Sequence, residues 1–392
     1  MKFTTFTFLI FFSVSLFSQP WLQKPAMPGS NGLDAPFSFS INNKLYVGGG
    51  WTGAIALDSF FMYDPASSSW TTKTNIPQGI YSSASFALNG KGYVVCGATQ
   101  PLVNTVYQYD PVANTWQTMN PFPGTSRQNV VGFNFNGKGY MCGGFIGNVI
   151  SEVWQYNDTT DSWAQMASIP GPGRNGPAWL VVNGQAFIGM GGNSSGTAFY
   201  SDFYRFDPVA NTYTPVDSAP IPRSSPVNFT IGSTGYVGLG GGYNGEYHDF
   251  YKYDPIANTW TLTDSFPGGG RFGAYNETIN GVPYIGCGVG TTGSYYIDNW
   301  SYGYPAGTQN ISATNSIIKC YPSPTSGGFT IDMSGYSTED KQISIYDEIG
   351  QPVYQTQSTQ SKLVISSKLS SGLYTVSVIQ GTSRENTRVV VE

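Results

Sequence analysis

An all-β fold, a ring of six four-stranded sheets followed by a small C-terminal β-sandwich, is what this 392-residue sequence predicts, and three features predict it. Tyr-Asp-Pro followed five residues later by Trp recurs every 46 to 50 residues, at Tyr63, Tyr109 and Tyr253, with degenerate copies at Tyr156 and Phe206. An aromatic residue with Gly four positions on recurs six times, from Tyr46 to Tyr284, at spacings of 47, 47, 47, 49 and 48. After about residue 305 both repeats stop and shorter alternating runs begin. A period near 50 means stacked supersecondary units, each too small to bury its own apolar face.

The chain opens on Met1-Lys2, an apolar stretch from Phe3 to Phe17, and Ser18-Gln19. One cation, about fifteen mostly apolar residues and a small residue fit a secretory signal peptide over 1–18. A membrane anchor needs about 20 apolar residues. No Cys follows the run, so a lipid anchor is not indicated, and no transmembrane segment is expected in the mature chain.

Each repeat unit then reads as four strands. Strand a alternates: Phe39, Phe86, Phe133, Leu180 and Phe229 stand seven residues before the aromatic, and an aliphatic or Phe stands five before it. Asn-Gly follows at 89–90, 136–137, 183–184 and 280–281, a strong hairpin signal because both turn residues take positive φ. Strand b carries the aromatic and ends in glycines. Strand c carries the Tyr of Tyr-Asp-Pro, whose Asp-Pro sets a turn, and strand d carries the Trp. Four antiparallel strands per unit make a propeller blade.

The glycine pairs (Gly49-Gly50, Gly143-Gly144, Gly191-Gly192, Gly240-Gly241), the Tyr and the Trp seven residues after it resemble the Kelch repeat family over roughly residues 20 to 305. Cys96-Gly97-Ala98 and Gly286-Cys287-Gly288 depart from the doublet. Six glycine elements accompany five complete c–d pairs. The last strand c, around Trp300, lacks its partner, and Trp21 followed by Met27-Pro28 mimics Trp70 followed by Ile76-Pro77. The first mature strand therefore completes the last blade of a six-bladed Kelch-type β-propeller over 19–305.

Strand directions place the b–c and d–a loops on one face, and the variable lengths all fall there, where binding residues usually sit. Arg127, Arg174, Arg223 and Arg271 stand thirteen residues before the strand-b aromatic, with Leu33 and Ile80 in blades 1 and 2. They are either structural partners of loop carbonyls and neighbouring carboxylates, or an arc of forks for a sugar carboxylate or sulfate. Glu277 takes the place of Phe or Leu. It is either an ion pair with a neighbouring Arg or a buried acid/base with a raised pKa. His248, the single histidine, follows Glu246 and Tyr247 on a loop of the same face; it is either exposed or a second acid/base candidate. Trp51, Tyr243 and Tyr247 could stack on sugar rings or pack the loops. One His and no clustered Cys argue against zinc or copper, so no cofactor is expected. Cys96, Cys142 and Cys287 fall in the strand-b glycine element and read as free buried thiols.

Composition agrees with a folded β protein: 49 Gly, 25 Pro, 15% aromatic and 10% charged residues. Net charge is −5 without Lys/Arg runs, so no nucleic-acid partner is expected.

A polar linker covers 306–316. Residues 317–392 alternate in short runs around Phe329, Ile343, Leu363 and Tyr374, separated by Gly, Ser and Asn turns. Tyr321-Pro322-Ser323-Pro324, Gly328-Phe329, Tyr346-Asp347 with Gly350, Ser371-Gly372-Leu373-Tyr374 and Val389-Val390-Val391 are similar to the C-terminal sorting domains of the type IX secretion system of Bacteroidetes. Ser323 stands where Asn is usual. The resemblance implies export across the outer membrane, removal of this domain, and release or surface attachment. The reading is a monomeric, secreted or cell-surface module that binds a glycan or protein on its b–c/d–a face. The alternative is a sugar epimerase resembling N-acetylneuraminate epimerase, with Glu277 or His248 as acid/base and the arginines holding the carboxylate.

Overall fold

The computed structural model describes residues 21–29, 32–99, 101–290, 292–303, 318–336, 339–347, 352–366, 369–380 and 383–391; the leader at 1–18 and the linker at 306–316 lie outside them. Every regular element among these residues is a β-strand. Six antiparallel four-stranded sheets form the blades, each ordered a-b-c-d from the axis outward. Blade 1 comprises Phe37–Ile41, Lys44–Gly48, Phe60–Asp64 and Ser69–Thr72, and blade 2 Ala84–Leu88, Lys91–Ala98, Leu102–Asp110 and Thr115–Thr118. Blade 3 comprises Val131–Phe135, Lys138–Cys142, Val153–Asn157 and Ser162–Met166, and blade 4 Ala178–Val182, Gln185–Gly192, Phe199–Asp207 and Thr212–Val216. Blade 5 comprises Val227–Ile231, Thr234–Gly238, Phe250–Asp254 and Thr259–Leu262. Blade 6 comprises Tyr275–Ile279, Val282–Gly286 and Asn299–Tyr302, and its outer strand is Trp21–Lys24, with Trp21 opposite Tyr302. The inner strands run in sequence round the axis, and that of blade 6 returns to that of blade 1.

Hairpin chemistry follows the residues. Asn89-Gly90, Asn136-Gly137, Asn183-Gly184 and Asn280-Gly281 all have positive φ at both positions, which joins strands a and b by two-residue turns. Register then sets each strand-a aromatic opposite the strand-b one: Phe39 faces Tyr46, Phe86 faces Tyr93, Phe133 faces Tyr140 and Phe229 faces Tyr236. Their ring centroids lie 5.0–5.6 Å apart, stacked. Two of these rings also press into the next blade, where a glycine admits them: Phe39 lies against Gly92 and Phe86 against Gly139.

The blades are fastened on both faces. On the turn face, the Asp of Asp-Pro accepts amide hydrogens ahead of it, as Asp110 does from Val112 and Ala113. Asn114 and Asn258, at positive φ, accept the Tyr hydroxyl of their own blade and an amide of the preceding one. Trp70, Trp116 and Trp260 donate Nε1–H to carbonyls of the previous blade at 2.9 Å. On the loop face, the amides of Gly50, Gly97, Gly144, Gly191, Gly240 and Gly288 each donate to the carbonyl of the next blade's residue at the arginine position, at 2.7–3.0 Å. All six glycines have φ between +86° and +119°, the left-handed backbone that lets the amide reach across the seam. The residue before each is also at positive φ, and Cys96, Met190, Leu239 and Cys287 occupy it as well as Gly49 and Gly143. The departures from the glycine doublet are therefore substitutions at one tolerant backbone position.

The four cysteines are free, with Cys96, Cys142 and Cys287 buried; burial pushes the Cys96 and Cys142 thiols up to about 12.

The C-terminal region is a two-sheet sandwich. One sheet comprises Lys319–Tyr321, Phe329–Asp332 and Lys362–Ile365; the other runs in the order Pro352–Ser358, Lys341–Tyr346, Gly372–Gln380, Ser383–Val391. Alternate residues of both, among them Phe329, Ile331, Ile343, Ile345, Val376 and Val389, meet in one buried core.

Candidate functional site: the loop face and the channel mouth

The channel along the ring axis narrows at its loop-face end to a collar of one residue per blade: Ala35, Ser82, Asn129, Gly176, Ser225 and Gly273. All six have φ between +47° and +64°. Five amide-to-carbonyl hydrogen bonds of 2.8–3.2 Å run from blade to blade round it, including Ala35 N–H to Gly273 O at the join of blades 1 and 6. A cavity of about 140 Å³ lies at this level, lined by the collar and the first residues of strand a from all six blades. That is room for several waters or one compact polar ligand.

Inner-strand carbonyls that face the channel have no strand beyond them, and side chains of the next blade supply donors. Ser85 Oγ–H reaches Ser38 O at 2.7 Å, Thr230 Oγ1–H reaches Val181 O at 2.9 Å, and Asn276 Nδ2–H reaches Asn228 O at 2.5 Å. The channel wall is polar for that reason. Asn228 is only 3% exposed and lines the cavity, yet its Nδ2 has no hydrogen-bond partner among the described residues.

Glu277 lies in this wall, opposite Tyr284 in the register where other blades stack two rings. The expected arginine partner is not there. Its Oε1 accepts from Ser38 Oγ at 3.1 Å, and Ser40 supplies a second hydroxyl. Burial raises its pKa to about 7, with the two hydroxyls acting against the rise. Asp34, one residue outside the collar, is a second carboxyl raised to about 7 by burial, opposed by a hydrogen bond from the Ala35 amide. It packs against Gly273, whose missing side chain leaves the space its Oδ1 occupies. Asp34 escaped the sequence reading because its position holds a different residue in every blade (Tyr81, Gln128, Asn175, Ser224, Phe272).

The four arginines are latches, which corrects their assignment as ligand-binding forks. Each is 0–1% exposed and paired within its own blade: Arg127 with Glu152, Arg174 with Asp202, Arg223 with Asp249 and Arg271 with Asp298, at 2.7–2.9 Å. Arg174 and Arg223 grip both carboxylate oxygens, and Arg174, Arg223 and Arg271 also donate to strand-b carbonyls at Met190, Leu239 and Cys287. Aromatic rings cover the guanidinium planes, Tyr247 over Arg223 at 4.7 Å and Tyr296 over Arg271 at 3.9 Å. The remaining unpartnered nitrogens, Arg127 Nη1 and Arg174 Nε, are themselves buried. The arginine therefore ties the d–a loop to the start of strand c, and none of the four lines the cavity. The sequence carried the signal: the residue before strand c's first core position is acidic in blades 3 to 6, but Ser59 and Thr105 where Leu33 and Ile80 replace the Arg.

The other candidates are dispersed. His248 is exposed beside Asp249 and does not reach Glu277's cavity. Glu246 is half-buried with Oε2 unpartnered, and Tyr247 is committed to Arg223. Trp51 and Tyr81 lie together at the mouth, 5.1 Å between centroids, and Trp51 bridges by backbone to Asp34. Tyr243, 60% exposed, meets Phe199 edge-on at 5.0 Å.

Residues 41–231 match the KLHDC2/KLHL20/DRC7 Kelch-repeats domain, and residues 319–392 match the secretion system C-terminal sorting domain. The solved structure of YjhT superposes on 73% of this chain and 99% of its own with a TM-score of 0.62 at 16% identity, a likeness of fold. This chain is a Kelch-repeat propeller joined to a secretion-system sorting domain. The sorting domain directs type IX export to the cell surface or extracellular space. Among the described residues no helix is long and apolar enough to cross a membrane. Among curated relatives, mouse Kelch-like protein 35 is 33% identical over 22% of this chain and 16% of its own length. N-acetylneuraminate epimerase of Pasteurella multocida (strain Pm70) is 30% identical over 31% of this chain and 32% of its own. The chain thus spans a third or less of the length of these relatives.

Proposed function

We propose that this exported propeller is a binding module whose loop face takes a glycan lacking acidic groups. The observation that carries the reading is the saturation of all four loop-face arginines by carboxylates of their own blades. A face that lends no guanidinium to an anion, and keeps aromatic pairs such as Trp51–Tyr81 and Phe199–Tyr243, suits stacking against sugar rings rather than clamping a carboxylate. The test is a glycan array probed with the exported protein. Signal on neutral or amine-bearing glycans supports the reading; signal confined to sialylated or sulfated ones overturns it, and a blank array shifts it to a protein ligand.

A second reading rests on Glu277. A carboxyl with a pKa near 7 in a polar cavity has the proton affinity a general acid/base needs, and one relative is named for epimerisation of an acidic sugar. NMR of N-acetylneuraminate anomer exchange, wild type against Glu277→Gln, tests it: exchange no faster than buffer eliminates catalysis of that reaction.

A further inference from the structure

The cavity at the collar contains two unmatched features of opposite kind. On the side where blades 6 and 1 meet, Glu277 lines it and Asp34 stands one residue outside the collar, and neither forms an ion pair among the described residues. Nearby, on blade 5, the buried Asn228 offers an Nδ2–H with nothing to accept it. Elsewhere on this face the four buried arginines meet four carboxylates. Opposite blade 1 in the ring stands blade 4, whose Trp179 lines the cavity and stacks on Phe133 at 5.4 Å. Blade 3 contributes Asn129, Val130, Val131 and Gly132 to the lining, and Gly132 lies close against the Ser85 backbone of blade 2.

We propose that this cavity binds a small hydroxylated amine, an amino sugar by class. The ammonium group faces the Glu277 and Asp34 side, a ligand hydroxyl accepts from Asn228 Nδ2, and the apolar edge of the ring lies toward Trp179. A cation supplies the charge both carboxyls lack, and a hydroxyl supplies the acceptor the amide lacks. A neutral sugar leaves the first unmet, and an acidic sugar brings like charge to it. The proposal rests on the glycan-binding reading and names the group recognised at its centre.

The test is calorimetric titration of the full exported protein at pH 7 with D-glucosamine, D-glucose, N-acetyl-D-glucosamine and the chlorides of potassium and calcium. D-Glucosamine is expected to bind at least tenfold more tightly than either neutral sugar. Glu277→Gln keeps the shape and the serine hydrogen bonds, and Asp34→Asn is a second isosteric change; each is expected to weaken glucosamine at least fivefold with an unchanged circular dichroism spectrum. Equal binding of glucosamine and glucose, or glucosamine affinity unaltered in both variants, overturns the proposal. Saturation by either metal chloride that excludes glucosamine also overturns it, making the carboxyls a metal site. An array positive for neutral glycans with no response to glucosamine sinks this inference alone and leaves the binding module standing.

Discussion

In blades 3 to 6 a buried arginine ties the loop entering strand a to the start of strand c; in blades 1 and 2 the same place is filled by Leu33 and Ile80. Both arrangements present a backbone carbonyl at the same point, where the glycine of the preceding blade donates to it, as Gly144 does to Arg174 O and Gly288 to Leu33 O. The seam is therefore built by the backbone, and the side chain beneath can be ionic or apolar. The ionic form requires a carboxylate in the blade and occupies it. The apolar form requires none; of the two carboxyls near the mouth that lack an ion pair, Asp34 belongs to blade 1 and Glu277 to the latched blade 6, where it is bonded to Ser38 of blade 1. The seam of blade 1 with blade 6 is where these two carboxyls stand without an ion pair among the described residues.

The comparison can be broken most severely at a latch. Arg174→Met should cost about 3–5 kcal/mol, because Asp202 and the carbonyls of Met190 and Pro170 lose their donor in a desolvated site. Leu33→Met, at the equivalent position of blade 1, should cost under about 1.5 kcal/mol. The double change Arg174→Leu with Asp202→Ser imitates blade 1 and should recover more than half of the loss. Urea unfolding curves give all three values.

Next in size is the pH response of the seam between blades 6 and 1. Glu277 has a folded pKa of about 7 against an ordinary value of 4.5, so the unfolded chain gives up that proton first. Stability contributed by the neutral carboxyl is present below about pH 4.5, falls as pH rises, and is fully lost above about pH 7. Glu277→Gln should therefore match wild type near pH 4.5 and exceed it by about 1–3 kcal/mol at pH 8, with Asp34 keeping part of the slope in the variant. Thermal melts across that range that run parallel for the two proteins would contradict the assignment.

A smaller effect separates two tryptophans of the repeat. Trp116 donates to Thr74 O across the seam, whereas Trp163 Nε1 has no partner among the described residues. Trp116→Phe should cost about 1 kcal/mol more than Trp163→Phe in the same unfolding assay. Smallest of all, His248→Ala should change stability by less than about 0.5 kcal/mol and leave glycan binding intact, because the ring is exposed and away from the cavity.

The propeller was legible because its signals are local and repeated. Asn-Gly specifies a turn by itself, and the strand-a and strand-b aromatics meet by register alone. The site was less legible because it is made of departures, whose meaning depends on residues a blade away. Glu277 announced itself as a carboxylate among rings, but its hydroxyl partners Ser38 and Ser40 lie about 240 residues earlier and meet it only when the ring closes. The arginines were visible as a column. Their role depended on a second column, Glu152, Asp202, Asp249 and Asp298, that varies in step with the first. Asp34, Asn228 and Trp179 occupy positions with no repeating identity; the cavity relates the last two, and Asp34 stands just outside its collar.

The account rests on the arginines belonging to the scaffold and not to a ligand. The direct measurement is a calorimetric titration of the exported protein with N-acetylneuraminate. No saturable heat is expected, since none of the four loop-face guanidiniums is free to take the carboxylate. Saturable binding that is lost in a folded Arg174→Met variant would contradict it.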